Sequence, residues 1–222
     1  MLELRGIRYQ PATATRPVLN SVDLQLAPGA IGLVAGRSGG GKTTLLELIG
    51  GLADPDRGTI LWNGDPLKAR QRRWLCGLVF QFPERHFLGL TVGQELRLGH
   101  RRLEQEKVAA VLELVGLAGV GPQQLPEQLS GGQQRRLALA VQLLRNPRVL
   151  LLDEPTAGLD WAVRDDIVGL LQALAEDRAV LVVTHEPELF HGQAASRWRL
   201  EDGHLVDLSP QATAPTGLLT MP

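Results

Sequence analysis

The sequence contains one cysteine, Cys76, among its 222 residues, which excludes an intramolecular disulfide and a cysteine-based metal site. A chain without disulfides is typical of a reducing compartment, so we expect a cytosolic setting. No stretch approaches the roughly 18 to 20 apolar residues that a membrane-spanning helix needs. The first residues, Met1 to Arg5, lack the charged-then-apolar organisation of a signal peptide. We therefore expect a chain that is soluble by itself and reaches a membrane only through a partner.

An excess of charge of one sign is also absent. The 23 basic and 24 acidic residues leave a formal net charge of −1, whereas nucleic-acid binders usually carry a clear basic excess. We expect no nucleic-acid partner, and we interpret the local basic stretches at 70–73 and 97–102 as solvated faces. Apolar residues are plentiful: 44% of the chain is hydrophobic, which favours a substantial core over global disorder.

Short apolar runs alternate with amphipathic stretches, which predicts an α/β fold with a mostly parallel sheet. The runs at 31–35, 149–152 and 180–184 have the continuous apolar character of strands covered on both faces. Segments 2–9, 22–26 and 59–62 alternate more and predict an antiparallel β subdomain at the edge of this core.

Helical spacing dominates the second half of the chain. Apolar stripes at i, i+3, i+4 and i+7 predict amphipathic helices around Val108–Val115, Leu137–Leu144 and Val163–Leu174. Residues 87–145 show no convincing strand, so we predict a helical subdomain inserted into a domain that spans 1–208. The last residues, 209–222, are rich in Pro, Thr, Ala and Gly and predict a loose tail.

One glycine-rich segment matches the phosphate-binding pattern G-x-x-x-x-G-K-S/T. It follows a predicted strand and precedes a helical segment that starts with Thr44; a glycine-rich turn without a ligand would not need this order. The glycines let backbone N–H groups point at phosphate oxygens, and the helix start adds its positive dipole end. We predict that Lys42 bridges the β- and γ-phosphates of a nucleoside triphosphate and that the Thr43 hydroxyl binds Mg²⁺. The segment consists of Gly36, Arg37, Ser38, Gly39, Gly40, Gly41, Lys42 and Thr43.

Two carboxylates follow the apolar run 149–152. Because ligands bind at the carboxyl edge of a parallel sheet, Asp153 is placed to hold magnesium, and Glu154 is placed to polarise the attacking water as general base. The alternative is a solvated strand end, which a neighbouring phosphate loop disfavours.

A second potential anion site begins at Ser130, a good helix N-cap followed by Gly131, Gly132 and Gln133. Because the phosphate loop already serves one nucleotide, the economical interpretation is that Ser130–Gln133 grips the γ-phosphate of ATP bound to another subunit. The sequence here resembles the ATP-binding cassette (ABC) ATPases.

Further segments resemble this family in order along the chain. Gln81 resembles the Q-loop glutamine that reaches magnesium and the attacking water, and Asp160 belongs to a segment that resembles the D-loop. His185 resembles the switch histidine at the γ-phosphate, and Tyr9 resembles the aromatic residue that stacks on adenine. The resemblance implies a head-to-tail dimer with two ATP molecules between the subunits.

The resemblance also narrows what ATP hydrolysis drives. The chain has no room for the long coiled coil of DNA-repair members or for the two cassettes of translation-factor members, so a transporter motor fits best. Residues 79–87 resemble the V-F-Q-x-P-(E/D)-x-x-x-F stretch of energy-coupling-factor and cobalt-type importer ATPases, which serve the uptake of vitamins or transition-metal ions. Those ATPases commonly carry a carboxy-terminal extension, from which this chain departs.

We therefore expect a location at the cytoplasmic face of the cell membrane, where an integral membrane subunit docks near 81–88. Phe82, Phe87 and Leu88 are predicted to line that docking surface. Four alternatives remain open at this point: another importer, a lipid-type exporter, a soluble ABC ATPase such as one for iron–sulfur cluster assembly, and a nucleotide-dependent regulator. The nucleotide motifs are common to these classes and do not separate them.

Overall fold

Two β-sheets form the framework of residues 1–209, the part of the chain that the computed structural model describes. The strands of this part are β1 (Leu2–Tyr9), β2 (Leu19–Leu26), β3 (Ile31–Gly36), β4 (Arg57–Trp62), β5 (Asp65–Pro66), β6 (Cys76–Val79), β7 (Val149–Asp153), β8 (Ala179–Thr184), β9 (Ala194–Glu201) and β10 (His204–Asp207). The α-helices are α1 (Lys42–Ile49), α2 (Ala69–Leu75), α3 (Val92–Arg97), α4 (Gln105–Leu114), α5 (Gly131–Leu144) and α6 (Trp161–Ala175), and short 3₁₀ helices cover Pro83–His86, Pro126–Gln128 and Pro187–Phe190.

The larger sheet has the strand order β10-β9-β3-β8-β7-β6, and the pairs from β9 to β6 are parallel. Alternate residues of its central strands enter two separate apolar cores. Along β7, Leu150 and Leu152 face the core that α5 and α6 cover, whereas Val149 and Leu151 face the core that α1 covers. Burial on both faces explains why this strand is apolar at every position before Asp153.

The smaller sheet is antiparallel, with the order β2-β1-β4-β5. Its apolar face packs in the same core as α1, and this core includes Leu4, Val22, Leu45 and Ile49. The residues of β2 that alternate with the buried ones are exposed, as expected of a sheet with one face toward solvent. The predicted antiparallel β subdomain is confirmed.

The segment 87–145 holds α3, α4 and α5 and no strand, as predicted. The three helices share the core on the α5 side of the large sheet, where Val92, Leu96 and Leu137 are buried. Helix α4 has no fully buried residue and contributes only half-buried side chains such as Val108. The predicted α/β fold with a helical subdomain is therefore confirmed.

Some boundaries and four strands differ from the prediction. Helix α1 begins at Lys42 rather than Thr44, so the Lys-Thr pair lies in its first turn. Strands β5, β6, β9 and β10 were not predicted. Ser209 does not begin a loose tail, because its Oγ accepts a hydrogen bond from Arg197 N over 2.9 Å; the rest of the predicted tail, 210–222, lies outside the described residues. No helix within 1–209 is long and apolar enough to cross a membrane.

Candidate functional site

The phosphate loop connects the end of β3 to the start of α1. Gly39 and Gly41 have φ values of 75° and 96°, which lie in the region that favours glycine. Gly41 also has no room for a side chain, because a Cβ there would lie 2.8 Å from Cγ1 of Val18. Glycine at these two positions therefore permits the tightly curved loop that the phosphate-binding pattern predicts.

The side chain of Lys42 is buried at the mouth of this loop. Its Nζ donates to the carbonyl oxygens of Gly36 over 2.8 Å and Arg37 over 3.1 Å, and lies 3.5 Å from Oε1 of Glu154. The ammonium group is thus held between the phosphate loop and the predicted general base, within reach of any phosphate that the loop binds.

Thr43 and Asp153, which are both predicted to bind magnesium, lie in direct contact. Thr43 Oγ1 donates to Asp153 Oδ2 over 2.6 Å. Burial raises the pKa of the Asp153 carboxyl, the hydrogen bond from Thr43 opposes this, and the nearby Glu154 carboxylate raises the pKa further. The Thr43 hydroxyl and the Asp153 carboxylate offer the oxygen ligands that Mg²⁺ prefers. Proteins usually hold this ion through one or two carboxylates together with substrate phosphates.

Glu154 is buried and occupies an unusual backbone conformation, with a φ of 48°. Its Oε2 lies 2.9 Å from Nδ1 of His185 and accepts a hydrogen bond of 3.2 Å from the backbone N–H of the same residue. The two predicted catalytic residues are therefore adjacent, and the glutamate side chain is held by the residue that follows β8.

A cavity of about 240 Å³ joins the phosphate loop to the predicted catalytic and metal-binding residues other than His185. Gln81 lines it together with Lys42, Thr43, Asp153 and Glu154, and Thr44 and several loop glycines complete the wall. The structure thus brings together residues from the loop after β3, from α1, from the end of β7 and from the segment after β6.

A second cavity, of about 440 Å³, adjoins the first, because Val18 and Gly39 line both. Its other walls are the loop 13–18 and the turn at Asp202 and Gly203. This polar cavity offers space for the rest of a nucleotide, and the sequence alone gave no indication of these walls. Tyr9 is half-buried and packs on the apolar core of the antiparallel sheet, and its stacking on adenine stays a prediction.

The predicted second anion site lies apart from both cavities. Ser130 caps α5, since its Oγ accepts from Gln133 N over 3.3 Å and its own N–H donates to Gln133 Oε1 over 2.9 Å. Ser130, Gly131 and Gln133 are exposed, whereas Gly132 is buried. A Cβ at Gly132 would lie 2.7 Å from Cγ1 of Val163, so this glycine is required for packing against α6. Asp160, at the exposed start of α6, also lies outside the cavities.

A family model described as "ABC transporter" matches residues 19–157, which is more than half of the chain. The chain belongs to the ABC transporter family. The protein is accordingly an ATPase, and the cavity at its phosphate loop is its candidate ATP site, the ATP cavity.

Three curated relatives show the range of ABC proteins that this chain resembles. ABC transporter I family member 11, chloroplastic, of Arabidopsis thaliana is 38% identical over 92% of this chain and 80% of its own length. Lipoprotein-releasing system ATP-binding protein LolD 1 of Chlorobium luteolum is 34% identical over 95% of this chain and 98% of its own length. Energy-coupling factor transporter ATP-binding protein EcfA2 of Lactococcus lactis is 35% identical over 89% of this chain and 74% of its own length.

Among solved structures, cbiO1 from Clostridium perfringens, described as part of the ABC transporter complex cbiONQ, superposes with a TM-score of 0.83. The two chains are 26% identical, and the match covers 92% of this ABC ATPase and 86% of cbiO1.

Sequence reasoning missed one residue that contacts the catalytic segments of this ABC ATPase. Arg135 donates to the backbone carbonyls of Glu154, Pro155 and Ala157 and to that of Gln81. No local pattern marks it, because its partners are main-chain atoms 19 to 54 residues away.

Proposed function

We propose that this ABC ATPase drives an energy-coupling-factor-type importer of a vitamin or a transition-metal ion, in which two ATPase subunits work head to tail beneath a membrane coupling protein. One observation carries the dimer: the ATP cavity contains the phosphate loop, Asp153, Glu154 and Gln81, whereas the exposed helix start at Ser130 lies outside it. A second subunit can place its Ser130–Gln133 segment over the open side of the cavity, where helix N–H groups favour phosphate.

The contacts of Glu154 suit it to activate water. Its buried carboxylate accepts the proton as the water oxygen forms a bond to the γ-phosphorus, while the bond from that phosphorus to the ADP oxygen breaks. His185 orients the carboxylate, and Lys42 lies close enough to stabilise charge on the phosphate oxygens. Thr43, Asp153 and Gln81 would hold Mg²⁺, which neutralises phosphate charge when bound.

Docking of the membrane subunit near 81–88 is supported by exposed apolar side chains after β6. Phe82, Leu88 and Leu90, which lie within nine residues of one another in the sequence, are 42%, 81% and 77% exposed. Phe87 instead packs half-buried against the helical core, so its predicted part in the surface is revised.

The backbone that carries this docking surface is rigidly held. Glu95 is buried in α3, and its Oε2 accepts hydrogen bonds from the N–H groups of Leu88 over 2.8 Å and Gly89 over 2.6 Å. Gln94 Oε1 accepts from the N–H of Leu90 over 2.9 Å. A preformed surface loses little conformational entropy on binding, which suits a permanent partner.

Two observations favour the importer class: the V-F-Q-F-P-E segment at 79–84, and the similarity to EcfA2 and to cbiO1. A second candidate is the lipoprotein-releasing type, favoured because the match to LolD spans 98% of that relative's length. In either case we place the protein on the cytoplasmic face of the membrane, attached through its partner.

In-cell photo-crosslinking tests the docking. A photoreactive amino acid is placed at Leu88, with Gln172 on the exposed face of α6 as the control position. We expect position 88, and not position 172, to crosslink to a polytopic membrane protein, whose sequence separates the importer from the lipoprotein-releasing type. Crosslinking of position 88 to a soluble scaffold alone would overturn the transport role and favour a soluble ABC ATPase of the iron–sulfur assembly kind.

A further inference from the structure

Arg135 lies one turn into α5, and its guanidinium group faces the loop that follows β7. Nη1 donates to the carbonyl oxygens of Pro155 over 2.7 Å and Glu154 over 3.4 Å. Nη2 donates to the carbonyl of Ala157 and, over 3.5 Å, to that of Gln81. One side chain thus joins the helix that starts at Ser130 to both segments that line the ATP cavity.

The position of this guanidinium is costly, which argues that its contacts are specific. Its principal partners are neutral carbonyl oxygens, and burial lowers the pKa of Arg135 while the nearby Glu84 carboxylate opposes that shift. A half-buried charge is tolerated where its donors are satisfied. The planar fork of arginine reaches several carbonyls at once, which the single ammonium group of lysine does not.

The segment that Arg135 holds is itself strained. Glu154 has a φ of 48°, and a bulky residue keeps a left-handed conformation only where its surroundings fix it. Arg135 binds the carbonyls of Glu154 and of the next residue, so it fixes the turn that aims the Glu154 carboxylate toward Lys42 and His185.

We propose that Arg135 is a positioning residue that couples the two ATP sites of the dimer, because it fixes Glu154 relative to the helix start at Ser130. This inference rests on the proposed head-to-tail dimer. In that dimer, Ser130 contacts the ATP of the partner subunit, so a shift of α5 on ATP binding is passed through Arg135 to the Glu154 of its own subunit. Because Arg135 also contacts the carbonyl of Gln81, the same side chain connects α5 to the docking segment at 81–88.

The neighbouring residue supplies a matched control. Arg136 lies on the same helix but donates to the carbonyl of Val115 over 3.1 Å and to Asp166 over 3.0 Å, away from the ATP cavity. Arg136→Gln removes one charge from α5, as Arg135→Gln does, and leaves the catalytic segments untouched.

The test compares Arg135→Gln, Arg135→Lys and Arg136→Gln in the assembled dimer. Misplacement of a catalytic group by about 1 Å can cost on the order of 10²-fold, so we expect Arg135→Gln to lower kcat by about 10- to 100-fold. The Hill coefficient for ATP should fall to about 1, while the Kd for a fluorescent ATP analogue stays within about twofold of the parent. Arg135→Lys should also lose cooperativity with a smaller loss of kcat, and Arg136→Gln should match the parent.

An unchanged kcat and Hill coefficient in Arg135→Gln would overturn the inference, as would equal losses in Arg136→Gln. Should Arg135→Gln fail to fold, Arg135→Lys replaces it: a Hill coefficient near 1 supports the inference, and an unchanged Hill coefficient overturns it. The parent protein tests the proposed dimer separately. If that proposal is wrong, the parent hydrolyses ATP as a monomer without cooperativity.

Discussion

Nδ1 of His185 lies 2.9 Å from Oε2 of Glu154, and the backbone N–H of the same histidine donates to that oxygen. The carboxylate is thereby held at the end of the ATP cavity, with Lys42 Nζ 3.5 Å from its other oxygen. This arrangement fixes the group that we assign as general base before any substrate contact is made, and it allows direct tests by substitution.

Glu154→Gln keeps the size of the side chain but removes its capacity to accept a proton. We expect the hydrolysis rate to fall by about 10²- to 10⁴-fold, the usual contribution of a general base, while ATP affinity is retained. Steady-state hydrolysis and nucleotide binding are measured on the same preparation. Glu176→Gln, at an exposed position after α6, is the control and should hydrolyse ATP normally. Near-normal turnover in Glu154→Gln would contradict the assignment.

Asp153→Asn should stabilise the nucleotide-free protein at neutral pH. Burial raises the pKa of Asp153, so the contribution of this group to folding stability is present at low pH and is lost as pH rises through its folded-state pKa. Asparagine resembles the protonated form and can still accept from Thr43. Thermal unfolding should therefore show a higher Tm for the variant at pH 7, with a difference that shrinks toward pH 4. A lower Tm at pH 7 would show that the ionised carboxylate is favourable where it lies.

Gly132→Ala should destabilise the protein, whereas Gly131→Ala should not. A Cβ at Gly132 would lie 2.7 Å from Cγ1 of Val163, but one at Gly131 would lie 3.8 Å from Leu159. Overpacking of this kind costs about 1–3 kcal/mol. Denaturant unfolding measures the difference, and adding Val163→Ala should restore stability to Gly132→Ala. Equal stability of the two single variants would contradict a packing role for Gly132.

Cys76 should be unreactive in the folded protein. It is buried, and burial raises the pKa of its thiol to about 12, so little thiolate forms at neutral pH. Alkylation by iodoacetamide at pH 8 should be negligible in native buffer and complete in denaturant. Rapid alkylation of the native protein would indicate that β6 opens readily.

Replacement of the exposed apolar residues Phe82, Leu88 and Leu90 by alanine should weaken membrane attachment but leave ATP binding intact. These side chains stand outside the ATP cavity, so their loss removes only docking area. Co-sedimentation with membranes and nucleotide binding are the two measurements. Unchanged co-sedimentation of the triple variant would count against docking at this surface.

The sequence predicted those parts of the fold whose apolar residues form a clear pattern, either a continuous run or a regular alternation. Strands β7 and β8 are buried on both faces, so their continuous apolar runs were sufficient to predict them as strands. Strand β6 has only four residues, including Gly77, and β9 carries exposed charges such as Arg199, so neither shows the pattern of a covered strand.

In the candidate site, too, the residues that belong to a local sequence pattern were predicted and those without one were not. The phosphate loop and the Asp153–Glu154 pair have local patterns with a physical reason behind them, and both were predicted. The contacts of Arg135 with distant carbonyls and of Gly132 with Val163 depend on how α5 packs, which local spacing does not encode.

The central claim is that each ATP site is completed by Ser130 of a second subunit, and Ser130→Arg tests it most directly. Ser130 is exposed and lies outside the ATP cavity of its own chain, so a variant that folds should bind ATP normally. We predict that Ser130→Arg binds ATP but does not hydrolyse it, and that mixing it with the Glu154→Gln variant restores hydrolysis, because one intact composite site then forms. Hydrolysis by Ser130→Arg alone at the parental rate would contradict the account.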